Sequence, residues 1–238
     1  MGVVRHIPNT ITSMNLLSGV MGVIFTLKGR PDIAFPLMLA AAVFDFCDGL
    51  AARLLHAYSD IGKELDSLAD MVSFGVLPSL MLYKAMDGVT PAWIAFLPLF
   101  LAAMSALRLA KFNIDERQSL NFIGLPTPSA AMICGSLAYF ISRTPDGILA
   151  GWARGPVFIP LVAIVLGLLL VSEIPMFGMK IKKGNTLLDI KRTAFFSIAA
   201  ICLVITAVLR LDWSFAVLLI FSVYILENCI FALFKVNQ

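Results

Sequence analysis

The sequence predicts an all-α protein: a polytopic membrane bundle of about eight transmembrane helices, with its active site at the cytoplasmic side. Three observations carry this expectation. Of 238 residues, 60% are hydrophobic and 14% charged, with a mean hydropathy of +0.92. Soluble domains carry about 25% charged residues, and one of this length could not bury so much apolar surface. Apolar runs recur at lengths near the ~20 residues that a bilayer core requires. The basic residues are unevenly shared between the two sides those runs define.

The apolar segments fall near residues 12–28, 33–56, 63–86, 92–113, 128–143, 156–174, 193–209 and 213–235. Turn clusters separate them. Gly29-Arg30-Pro31-Asp32 follows the first, Asp87-Gly88-Val89-Thr90-Pro91 the third and Thr144-Pro145-Asp146-Gly147 the fifth. Gly184-Asn185 marks a later break. The first run continues into a full span and lacks an A-x-A-like cleavage site, so it is not expected to be a removed signal. No tandem repeat or low-complexity tract is visible, and residues 1–238 read as a single domain.

With a cytoplasmic N-terminus, twelve of the 18 Lys and Arg residues fall on the cytoplasmic side. Among them are Arg53, Lys63, Arg108, Lys111 and the Lys180, Lys182, Lys183, Lys191, Arg192 loop. This is the direction the positive-inside rule requires. It puts both termini in the cytoplasm and suggests the cytoplasmic (inner) membrane. The basic loop is explained by topology and attraction to anionic lipid. Glu173 and Glu227, near span ends, read as interfacial or helix-pairing groups, and His6 and His56 as interfacial side chains. The net charge of +3 is too small to argue for nucleic acid. Cys47, Cys134, Cys202 and Cys229 all lie in apolar segments without a C-x-x-C pair, which argues for reduced thiols rather than a disulfide framework or zinc site.

The chemistry concentrates between Asp45 and Asp70. Carboxylates at membrane depth are costly and point to function. On a helix, Asp45 and Asp48 lie about 60° apart, and Asp66 and Asp70 about 40° apart. Each pair therefore shares a face, and two antiparallel spans joined by a short connection can bring the faces together. Four oxygen-bearing acids suit magnesium or manganese, with calcium also admissible, rather than zinc or copper. Gly49 and Gly62 let a ligand approach the backbone, while Ala51 and Ala52 keep the region narrow. Arg53, four residues after Gly49, suggests an anionic ligand, most naturally a phosphate.

The spacing D-x2-D-G-x2-A-R-x8-G-x3-D-x3-D resembles that of the CDP-alcohol phosphatidyltransferase family, and every fixed position is met. Three further segments resemble the integral-membrane phosphatidylserine synthase branch of that family. They are the run from Ile7 to Asn15 with Ser18-Gly19, the run Ser105–Asn113, and the run Phe122–Ala130. The resemblance implies transfer of a phosphatidyl group from CDP-diacylglycerol to the hydroxyl of L-serine, with release of CMP. It implies two divalent ions held by Asp45, Asp48 and Asp66, with Asp70 completing the second site and acting as general base. Gly49, Ala52 and Gly62 would shape the cytidine pocket, and Arg53 would hold phosphate. A homodimer is also implied.

Serine carries a carboxylate to the site. Arg108 and Lys111, three residues apart on one face, are candidates to grip it or a diphosphate oxygen, and Asn113 and Thr127 to add hydrogen bonds. The same chemistry with glycerol phosphate or inositol phosphate as acceptor is the nearest alternative, although a dianion should want a denser basic pocket. A divalent-cation transporter would use the four aspartates as its ion path but leaves Gly49, Arg53 and Gly62 unexplained. A structural membrane scaffold would tolerate alanine at Asp70.

Overall fold

The computed structural model describes residues 6–115, 122–177 and 186–233. Lys180, Lys182 and Lys183, the side chains of Lys191 and Arg192, and the Gly184-Asn185 break lie outside the described residues. All eight predicted segments contain helix. The helix α1 (Ile7–Leu27) and α2 (Pro31–Leu54) form an antiparallel hairpin turned at Lys28–Arg30. Both carry a proline in the first turn, Pro8 and Pro31, where its missing N–H costs nothing.

The helix α3 (Asp60–Asp70) runs without a break into a π-helical stretch, Met71–Val76, and then α4 (Leu77–Ala85). The widened turn has a local cause. Pro78 has no N–H and crowds the carbonyl four residues before it. Gly75 lies just ahead of it, and Ser79 Oγ donates to the Gly75 carbonyl at 2.6 Å. A 3₁₀ segment, Ala92–Leu99, leads into α5 (Phe100–Ile114). The later helices are α6 (Thr127–Arg143), short α7 (Ile148–Ala153), α8 (Phe158–Val171), α9 (Thr186–Val208) and α10 (Trp213–Leu233).

Among the described residues, five helical segments are long and apolar enough to cross a membrane: Ile7–Leu27, Pro31–Leu54, Asp60–Ala85, Ala92–Ile114 and Trp213–Ala232. Of the other three predicted spans, α6 and α8 are shorter helices, and the apolar stretch Thr193–Val208 is the later part of α9. The 17 residues of α6 reach about 26 Å and the 14 of α8 about 21 Å, at 1.5 Å per residue, against a hydrocarbon core of about 30 Å. Prolines and glycines at their ends account for the shortening. Pro126 precedes α6, and Gly155-Pro156 and Pro175 bracket α8.

The helix α6 is the central post. From Ser129 to Phe140 every residue is buried, against α2, α4 and α10. One core cluster gathers Phe35, Met38, Phe74 and Leu77 around it, and the other Leu82, Leu101, Leu125 and Leu170. Close approach replaces water exclusion as the packing force between helices in lipid. A Cβ at Gly19 would overlap Ser73 Oγ, and one at Gly135 would overlap Met38. The outer surface is apolar, with Leu17, Val43, Phe46 and Val204 all exposed.

A two-strand antiparallel bridge was not expected. In it β1 (Phe122–Ile123) pairs with β2 (Pro175–Met176), with Phe122 opposite Met176 and Ile123 opposite Pro175. It ties the approach to α6 onto the exit from α8. Gly124 N donates to Ile174 O at 2.9 Å. Only glycine fits there: φ is +78°, and a Cβ would lie 2.6 Å from the Leu170 carbonyl oxygen.

Candidate active site

The site begins with a chain reversal. Past the end of α2, His56 adopts a left-handed φ of 49°, and Ala57 N donates back to Ala52 O at 3.0 Å. This closes the helix with a wrapped C-terminal turn. Three residues later Ser59 caps α3, its hydroxyl oxygen accepting from Gly62 N at 3.0 Å. The acid-bearing face of α2 is thereby folded against that of α3.

Asp45, Asp48 and Asp66 each present a carboxylate oxygen, all within 4.8 Å of one another. Asp48 is buried; the other two are half-buried. Asp48 Oδ2 and Asp66 Oδ1 are buried without a hydrogen-bond partner. Three like charges this close repel, and orphaned buried oxygens are costly. A divalent cation with hard-oxygen preference satisfies both deficits, so the residues fit such a group.

Asp70 lies one turn further along α3, buried, and outside that trio. Asn15 Nδ2 donates to its Oδ1 at 3.1 Å. Asn15 is held in turn, because Ser73 Oγ donates to its backbone oxygen at 3.1 Å. The first helix thus supplies the support of the last aspartate.

Asp48 and Asp66 open onto a cavity of about 220 Å³. Gly49, Ala52 and Gly62 line it, with Pro8, Asn9 and Thr12 from α1 and Ala57, Tyr58, Ser59 and Lys63 from the α2–α3 turn. Gly49 has no protein atom within 4 Å of where a Cβ would sit. Arg53 is exposed at the end of α2, its Nε donating to Gly49 O at 3.0 Å, and it does not line the cavity.

The model of the CDP-alcohol phosphatidyltransferase family matches residues 5–171. The chain belongs to this family. Among its relatives is the CDP-diacylglycerol–serine O-phosphatidyltransferase of Mycobacterium leprae, 36% identical over 179 residues, which are 71% of this chain and 57% of that protein. The Helicobacter pylori (strain J99) protein of the same name is 32% identical over 200 residues, 80% of each chain. An archaetidylserine synthase of Methanothermobacter thermautotrophicus is 35% identical over 135 residues, 55% of this chain and 56% of that one. The matched region thus spans under three fifths of the mycobacterial relative. The family match runs from α1 to the end of α8.

The four candidate acceptor residues are divided by the family fold. Arg108 and Lys111 line a second cavity, of about 360 Å³, at the end of α5. Asn113 does not line it. Its amide donates to Ser67 Oγ at 2.9 Å and its backbone oxygen accepts from Lys63 Nζ at 2.8 Å, so it clamps α5 to α3. Thr127 is buried at the start of α6, away from both cavities. Glu173, read from sequence as an interfacial or helix-pairing group, lines the second cavity. The four cysteines are free.

Asn15, Thr12 and Asn9 are site neighbours that the Asp45–Asp70 motif does not include. A signal for them exists. Pro8, Thr12, Asn15, Gly19, Gly22 and Thr26 are buried on α1, at steps of three and four residues. That is a polar and small stripe down one face of an otherwise apolar span, and such a stripe turns inward in lipid.

Proposed function

We propose that this protein is an integral-membrane CDP-diacylglycerol–serine O-phosphatidyltransferase. The observation that carries the reading is the carboxylate trio, two of whose members, Asp48 and Asp66, open directly onto a glycine-lined cavity. Family membership and the names of its relatives support the reaction. Asp45, Asp48 and Asp66, with Asp70 completing the second position, would hold two magnesium or manganese ions, which supply charge neutralisation to the diphosphate.

The remaining work falls to the chain. Gly49, Ala52 and Gly62 leave room for the cytidine, walled by Pro8, Asn9 and Thr12. Arg53 stands at the rim to meet phosphate. The serine hydroxyl oxygen attacks the phosphorus that bears the lipid. A new P–O bond forms, the P–O bond to the CMP phosphate breaks, and CMP leaves with the bonding pair. Asp70 takes the hydroxyl proton. Asn15 occupies Oδ1 of Asp70 and so leaves Oδ2 for that proton. A positioned base contributes about 10²–10⁴-fold; orientation and charge neutralisation supply the rest. The same reading has about eight spans, both termini and the site at the cytoplasmic face, and a homodimer.

The test is CMP release from CDP-diacylglycerol by purified protein, with and without metal and L-serine, repeated for Asp70→Asn. Release that needs both and falls about 100-fold or more in the variant is expected. Release with glycerol phosphate or inositol phosphate instead would overturn the serine assignment. Metal uptake into vesicles without CMP release from any acceptor would favour a transporter.

A further inference from the structure

The second cavity is walled by charges of both signs. Arg108 enters it from α5. The residue is 4% exposed, and its Nε has no hydrogen-bond partner. The rings of Phe112 and Phe122 flank the guanidinium, with centroids 4.9 and 6.0 Å away. Aromatic faces steady a planar cation without using its N–H donors. A buried guanidinium with an unused donor calls for a carboxylate or phosphate.

Glu173 lines the same cavity from the end of α8, with Ser172 beside it. Among the described residues no ion pair joins Glu173 to Arg108. The β1–β2 bridge holds this wall in place. Phe122, whose ring lies against Arg108, pairs with Met176, and Gly124 N is bonded to Ile174 O. Acid and guanidinium are thus mounted on one brace and line one cavity of about 360 Å³, Arg108 from α5 and Glu173 from the segment after α8. Lys111 and Asp115 also line it.

The cavity lies level with Asp70. Asn113 touches Ser67, and Ser105 lies 3.1 Å from where a Cβ on Gly75 would sit. These two contacts fix α5 antiparallel to α3 and the π stretch. At 1.5 Å per residue, Asp70 stands about 4.5 Å above the Ser67–Asn113 contact and Arg108 about 7.5 Å above it. The two differ by about 3 Å in height.

We propose that this cavity is the acceptor site and reads a zwitterion, with Arg108 taking the carboxylate of the amino acid and Glu173 its ammonium. The proposal rests on the serine reading above and adds the residues that select for it. A dianionic sugar or glycerol phosphate would meet the like charge of Glu173. An amino alcohol without a carboxylate would leave Arg108 buried and unpaired, a costly state. Each charge on the wall therefore excludes a different class of acceptor.

The experiment is steady-state CMP release by the full chain in lipid nanodiscs. Serine is varied at saturating CDP-diacylglycerol, and CDP-diacylglycerol at saturating serine, for wild type, Glu173→Gln and Arg108→Lys. Glu173 sits in an exposed loop, so Glu173→Gln should fold, which gel filtration checks. The expected result is a serine KM raised about tenfold or more in both variants, with the CDP-diacylglycerol KM unchanged. L-Glycerate, which has a hydroxyl where L-serine has its ammonium, should discriminate further: its disadvantage against serine should shrink in Glu173→Gln. A wild-type serine KM in Glu173→Gln overturns the proposal and leaves the serine activity standing. A raised CDP-diacylglycerol KM in Arg108→Lys reassigns the cavity to donor phosphate. Absence of serine-dependent CMP release in the wild type removes both readings together.

Discussion

Gly49 and Gly62 are interchangeable in a sequence motif and differ in the fold. A methyl at Gly49 meets no protein atom within 4 Å, whereas one at Gly62 would come within 2.9 Å of Ser59 Oγ and 3.0 Å of Asn9 Oδ1. Gly49→Ala should therefore keep or slightly raise the melting temperature, because alanine is the better helix former inside α2, and raise the KM for the CDP-lipid, because ligand space is lost. Gly62→Ala should lower the melting temperature as well, since it presses on the cap of α3, a contact worth about 1 kcal/mol. Thermal unfolding in detergent beside CMP-release kinetics separates the two. Asn15→Ala removes the donor to Asp70 and leaves a buried carboxylate oxygen unpaired. Its kcat should fall about tenfold or more with the KM for the CDP-lipid little changed. The aspartates were legible because acids at membrane depth have few innocent explanations. Asn15 was not, because a single amide in a span as often serves helix packing, and its partner lies 55 residues away.

At the scale of elements, the α2–α3 reversal decides whether the carboxylates meet. His56 holds a left-handed conformation that disfavours any residue with a Cβ. His56→Gly should stabilise the protein by about 1 kcal/mol, read as a higher melting temperature, with CMP release retained. Gly124→Ala should do the reverse, because its Cβ would strike the Leu170 and Ser172 carbonyl oxygens at 2.6 and 2.8 Å. The β1–β2 bridge would part, and binding at the second cavity should suffer more than binding at the first. Apolar run length placed the helices well, but it carries no record of helix type. The π turn before Pro78 depends on Ser79 reaching the Gly75 carbonyl, a contact between side chain and backbone that periodicity does not encode. The bridge joins two-residue strands more than fifty positions apart, too short for any alternation to show.

For the whole molecule, the bundle class followed from composition, and the meeting of α2 with α3 from the motif spacing. The count of spans was less legible, because α6 and α8 are shorter than the bilayer core, α8 being apolar throughout and α6 interrupted by serines and closed by Arg143. Hydropathy alone cannot separate a span from a helix buried by its neighbours, and α6 is buried from Ser129 to Phe140. Orientation can be measured. Glu64→Cys and Asp146→Cys, both exposed in loops or helix ends, should label from opposite faces of sealed vesicles, Glu64→Cys from the cytoplasmic one. Labelling of both from one face would contradict the charge bias. The two cavities share no residue: the first draws on residues 8–66 and the second on residues 108–173. A crossover anywhere between those stretches transplants one cavity whole and leaves the other as inherited. Drift in the later stretch can try new guests without disturbing the grip of the earlier one, so a lineage with this layout diversifies its products without reinventing its chemistry.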